Sequence, residues 1–121
     1  MRVTRSSQVP DDSMDPAHFS GPVTSRNLGD YDALDGNVLL VSFPAGVRTA
    51  WHSHPGGQFL FVTAGRGRVG TRDGEVAHLE VGDLVHAPPG EEHWHGGAED
   101  AAVTHLAINM GETQWLEEVE P

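Results

Sequence analysis

Apolar residues in this chain come in short bursts, and turn-forming residues close nearly every one. The bursts are too short for helices, and they alternate apolar with polar or run continuously apolar, as half-buried and buried strands do. From Val38 onward the pattern predicts strands over Val38–Phe43, Thr49–His54, Gln58–Ala64, Gly67–Arg72, Glu75–Leu79, Asp83–Ala87, His93–Gly96 and Ala101–Asn109. Pro44-Ala45-Gly46, Val81-Gly82 and Gly96-Gly97 punctuate them, and Asp73-Gly74 between Arg72 and Glu75 is a two-residue hairpin signal. Pro22–Arg26 is a candidate first strand, and Asn27–Asn37 is a loop dense in turn formers. Helical spacing shows only weakly, in Thr113–Val119. Short strands at close spacing predict an all-β sandwich or barrel.

A length of 121 residues fits one domain with a real core. Residues 1–18 are polar and broken by Pro10, Asp11, Asp12, Asp15 and Pro16, so a flexible N-terminal arm is expected before a single barrel domain over 19–121. The formal charge of −11 repels phosphate backbones and argues against nucleic-acid binding. With no cysteine, any metal must be held by nitrogen and oxygen ligands. No leader pattern and no long apolar run stand out, so a cytoplasmic protein without a membrane partner is expected.

Eight histidines are many for this length, and five fall in segments that would surround one cavity. His52 and His54 are one residue apart on an extended segment and so share a face. A Pro55-Gly56-Gly57 turn then returns the chain to Gln58, and His93-Trp94-His95 offers a second His-x-His pair. Three imidazoles and a carboxamide converging inside β-structure would bind a divalent metal, with Mn, Fe, Co, Ni, Cu and Zn all compatible. An amide in place of a carboxylate leaves the metal's charge uncompensated and favours Lewis-acid work. His105 alternates with Leu106 and is a candidate catalytic base; an outward position or ligation are its alternatives. His95 is open between ligand, hydrogen-bonding support and substrate contact, and Thr49 offers a hydroxyl. Arg66, Arg68 and Arg72 read as one solvated strand edge.

Two longer patterns carry a family resemblance. Gly46, His52, His54, Gln58 and Gly65 match the first cupin motif, with Gln58 in place of its glutamate. Gly82, Pro88, Gly90 and His93 match the second, with Gly97 in place of its trailing asparagine. The resemblance implies a small antiparallel jelly-roll barrel with a metal inside its mouth. Arg48-Thr49-Ala50-Trp51-His52-Ser53-His54-Pro55, Pro89-Gly90-Glu91-Glu92-His93-Trp94-His95-Gly96 and Thr104-His105-Leu106-Ala107-Ile108 further resemble small bacterial cupins with hydroxynitrile lyase activity, related to carboxymuconolactone-decarboxylase-like cupins.

That closer resemblance implies manganese held by His52, His54, Gln58 and His93, His105 as base, and Thr49 and His95 touching or flanking substrate. It also implies a homodimer, and places Leu40, Ser42 and Asn109 among cavity positions that vary with activity. The expected function is a metal-dependent lyase that cleaves or forms a C–C bond at a small 2-hydroxy compound. A cupin oxygenase, an isomerase or cyclase on a sugar acid or polyketide, and a non-catalytic binding module are the alternatives.

Overall fold

A computed structural model describes residues 1–121. Ten strands follow in order: β1 (Asp12–Ser13), β2 (Thr24–Tyr31), β3 (Gly36–Phe43), β4 (His52–Ser53), β5 (Gly57–Thr71), β6 (Val76–Glu80), β7 (Leu84–Ala87), β8 (His93–Gly97), β9 (Val103–Met110) and β10 (Gln114–Trp115). Three short 3-10 turns, Ser6–Gln8, Pro16–His18 and Asp32–Leu34, are the only helical segments. Every strand pair is antiparallel, in the order β1-β2-β3-β9-β5-β8-β4-β10 with β6 and β7 also on β5. The sheet curls into a half-barrel, the jelly-roll arrangement expected from the sequence.

β5 organises the curl. Its first half, read above as a separate strand, pairs with β9 and β7, and its second half pairs with β8 and β6. The two halves are continuous through Gly65, which bends the strand at φ +74° beside a register shift between Val62 and Ala64. Val23, Val41, Phe43, Leu60, Val62, Leu79, Val103 and Ala107 form the core between the layers.

Four expectations shift. The Asp73-Gly74 hairpin is one residue longer, because Thr71 N–H bonds to Glu75 O across Arg72-Asp73-Gly74. The loop over 27–37 is divided between the end of β2, which runs to Tyr31 past a bulge at Asn27 and Gly29, the 3-10 turn Asp32–Leu34 and the start of β3. The weak helical signal at the C-terminus is extended chain: β10 pairs with β4, and Leu116 N–H bonds to Trp51 O. Arg68 is buried rather than on a solvated edge, donating its Nε–H to Gly97 O at 2.7 Å with its guanidinium over Trp94. No helix is long and apolar enough to cross a membrane.

Candidate metal centre and catalytic cavity

Strand parity and pairing gather the histidines. His52 lies directly opposite His93 in the β4–β8 pair. His93 and His95, two apart on β8, are both buried, as are His105 and Asn109 on the inward face of β9. The His52 ring centre is 4.4 Å from His93, 5.0 Å from His95 and 5.2 Å from His54. Side-chain nitrogens of His52, His93 and His95 lie within 4.8 Å of one another.

Hydrogen bonds decide which nitrogen each ring presents. His52 Nδ1–H donates to Ala50 O at 2.9 Å, and His93 Nδ1–H to Glu91 O at 3.0 Å. Each bond leaves an Nε2 lone pair, the usual arrangement for a metal-binding imidazole. His54 Nε2 is buried without a partner, and its Nδ1 sits 3.3 Å from Thr113 Oγ1. Gln58 Oε1 approaches His93 Nε2 to 2.8 Å. The Gln58 amide hydrogens point instead at Asn109 Oδ1, 2.7 Å away. With the neutral ring's one proton committed to Glu91, two lone pairs face each other at that contact. A buried acceptor–acceptor contact is unfavourable until a cation is shared between them.

Charge state agrees. Burial, then the neighbouring His93, pushes His52 down to about 3 and His54 to about 4. Burial also lowers His93, against the pull of its bond to Glu91. All three rings are therefore neutral at pH 7, as ligation requires. The buried nitrogens of His52, His93 and His95 fit a divalent transition metal, so the structure gathers His95 where His54 was expected. His54, with its orphaned Nε2 and its ring centre 5.2 Å from His52, and the Gln58 oxygen border the same cluster.

Behind this cluster stands a second pair. His95 Nδ1 and His105 Nε2 are 3.1 Å apart and share one proton, while His95 Nε2 and His105 Nδ1 have no partner. Burial lowers both rings, His105 to about 4 and His95 well below its usual value with His105 adding to the effect. Thr49 Oγ1 accepts from the His95 backbone N–H at 3.2 Å, which leaves its hydroxyl hydrogen free.

A cavity of about 60 Å³ opens onto Thr49, His52, His54, Gln58, His95 and Asn109, under a roof of Met14, Phe19 and Trp115. His105 does not line it; the ring packs behind His95 and against Phe43. The apolar wall is Leu39, Val41 and Phe43, not Leu40 and Ser42. Register explains this correction: Val41 pairs with inward-facing His105, and Leu39 with inward-facing Ala107. Ser42 instead turns its hydroxyl to Thr104 Oγ1 at 2.9 Å. Reading β3 against the parity of β9 would have found the wall. Met14 and Trp115 carry no such signal, because they reach the site from the arm and the C-terminal strand. Beyond the cavity a wider groove is edged by Asp30, Asp32, Asp35 and Glu112.

An antiparallel half-barrel with imidazoles and one amide converging inside it is a cupin architecture, and the chain belongs to the cupin family. The family's cupin domain matches residues 39–109. Among its relatives, an (R)-mandelonitrile lyase from Granulicella tundricola is 48% identical over 83 residues, covering 65% of this chain and 63% of that protein. The chain thus spans less than two thirds of that relative's length. A cupin-like protein from Thermotoga maritima is 37% identical, with a TM-score of 0.84 over 89% of this chain and 86% of that one. The polyketide cyclase RemF from Streptomyces resistomycificus, 18% identical with a TM-score of 0.79 over 100% of this chain and 87% of that one, shares the fold.

Proposed function

We propose that this cupin is a metal-dependent lyase acting on a small neutral 2-hydroxy compound such as a cyanohydrin, working in the cytoplasm as a homodimer. When bound at His52, His54, Gln58 and His93, a divalent metal, manganese in this reading, supplies Lewis-acid polarisation of the substrate hydroxyl. The chain supplies the rest. His95 is one of the residues lining the cavity, and in this reading its buried, unpartnered Nε2 takes the hydroxyl proton. Its Nδ1 proton passes across the 3.1 Å contact to His105 Nε2. The base is thus a pair, with His105 acting through His95. The C–C bond breaks, its electrons leave with cyanide and the carbonyl forms. The proton returns through the same pair to give hydrogen cyanide, so no charge stays buried.

Thr49 Oγ1 stands beside His95 with a free hydroxyl hydrogen to orient the substrate. A cavity of about 60 Å³ takes the reacting end, and the remainder lies toward the groove over Leu39 and Trp115. The acidic rim of that groove disfavours anionic substrates such as sugar acids. The observation that carries the reading is the unpartnered His95 Nε2, backed by His105, in the same cavity as the metal-ready lone pairs; the mandelonitrile lyase relative supports the choice of substrate.

The test is enantioselective cyanide release from racemic mandelonitrile by Mn²⁺-loaded protein at mildly acidic pH. Release by wild type and its loss in His95→Ala are expected. No release from fully metallated wild type rejects the lyase.

A further inference from the structure

Three carboxamides cross the sheet in a single line. Asn37 on β3 pairs with Asn109 on β9, and Asn109 pairs with Gln58 on β5. Residues directly opposite in antiparallel pairs point to the same face, so the three side chains form a ladder. Gln58 Nε2 donates to Asn109 Oδ1 at 2.7 Å, and Asn109 Nδ2 donates to Asn37 Oδ1 at 2.9 Å. Gln58 and Asn109 are buried, and Asn37 is the half-buried end at the wider groove.

We propose that Asn109, supported by Asn37, is a positioning residue that keeps the carboxamide oxygen of Gln58 turned toward the metal site. The inference rests on the reading of Gln58 as a ligand. A carboxamide can ligate only through its oxygen, and turning the oxygen inward turns two buried N–H groups the other way. Nothing but Asn109 Oδ1 accepts from them. Left unpaired, such a group carries the full desolvation penalty of a buried donor.

The cost falls on one state. Without metal, the Gln58 amide can turn over and donate to the free His93 Nε2, so loss of Asn109 is relieved. With metal bound, that escape is closed. The ladder also explains how a glutamine serves where the cupin motif has a glutamate. A carboxylate has no N–H for Asn109 Oδ1, and Asn109 and Asn37 would both have to reverse to accommodate it.

The experiment measures Mn²⁺ affinity by calorimetry, and the melting temperature of the EDTA-treated protein, for wild type, Asn109→Leu, Asn109→Asp, Gln58→Ala and the Asn109→Leu/Gln58→Ala double variant. Asn109→Leu is expected to weaken Mn²⁺ about 10- to 100-fold, the usual range for a residue that orients a ligand. Its metal-free melting temperature should stay near wild type. Asn109→Asp keeps an acceptor for Gln58 and should bind within about threefold of wild type in 0.5 M KCl, where its added charge is screened. Asn109→Leu should weaken binding no further once Gln58 is alanine. Wild-type affinity in Asn109→Leu, or a full additional loss in the double variant, overturns the proposal. Wild-type affinity in Gln58→Ala overturns the ligand reading beneath it instead. If Asn109→Leu does not fold, Asn37→Leu is read the same way: a smaller loss of affinity supports the ladder, and no loss rejects it.

Discussion

Five imidazoles packed into one small interior decide how the metal-free protein meets acid. His52 is pushed down to about 3, and His54 and His105 to about 4, from an ordinary value of 6.5, in each case chiefly by burial. Between those values the unfolded chain binds protons that the folded chain does not. Stability is therefore full above pH 6.5 and falls as pH drops through the window. The slope is at most about 1.4 kcal/mol per pH unit for each such histidine. The urea midpoint of EDTA-treated protein should fall steadily from pH 7 to pH 5; a flat profile would mean these rings are not buried and neutral. Metal acts in the opposite sense. At 100 times its Kd, Mn²⁺ should add about 2.7 kcal/mol by mass action, read as a higher melting temperature that EDTA reverses. His105 separates from the ligands in a different assay. His105→Gln should keep one metal per chain while turnover drops about 10²- to 10⁴-fold, the usual contribution of a general base. Full turnover would remove His105 from the relay.

At the scale of the element, β5 shows both what the sequence discloses and what it hides. The predicted strands stop at Ala64 and resume at Gly67, yet the chain passes through Gly65 as one bent strand serving both halves of the sheet. A side chain there would be strained at φ +74°, and its Cβ would run into the carbonyl of Ala102. Gly65→Ala should therefore cost at least about 2 kcal/mol, combining the strained conformation with a backbone clash. Denaturant unfolding checks this, and a loss under about 0.5 kcal/mol would mean the bend lies elsewhere. The histidine segments were legible because alternation along a strand is local: His52, His93 and His95 face inward as period two demands. What failed needed information from a partner strand. Leu40 and Ser42 were expected in the cavity, but only their register with β9 shows that Leu39 and Val41 face it. The C-terminal segment failed for a related reason. Its weak helical spacing yields to pairing with β4, which sets Trp115 4.3 Å from His18 in a parallel stack and 4.8 Å from His52. Asn109 was legible as a residue near the cavity, while its ladder of amides depends on three strands at once.

For the whole molecule, the sheet's second face sets the question. Strands covered on one side only should alternate apolar with polar. Here the outward positions are apolar as well: Phe59 pairs with Ile108, and Phe61 pairs with both Leu106 and Leu84. On the far side of β9, Leu40 pairs with Leu106 and Val38 with Ile108. Phe61 stays 42% exposed and Leu84 63%, while Leu60 and Val62, on the opposite face of β5, are buried. On a chain of net charge −11 this patch is apolar at Phe59, Phe61, Leu84, Leu106 and Ile108, with His86 opposite Phe59 and the Arg26–Asp11 pair beyond Leu40 at its edges. It is therefore where two copies can approach with few carboxylates pressed together. A contiguous apolar surface of this kind is a usual site of association. Pairing it with itself gives the isologous homodimer of the proposed function. Light scattering after gel filtration should return about twice the 13.0 kDa of the chain. Phe61→Glu should return the monomer mass and still bind one Mn²⁺, because its side chain points away from the histidines. A wild-type monomer at micromolar concentration would reject the homodimer. A Phe61→Glu dimer would move the interface to another face.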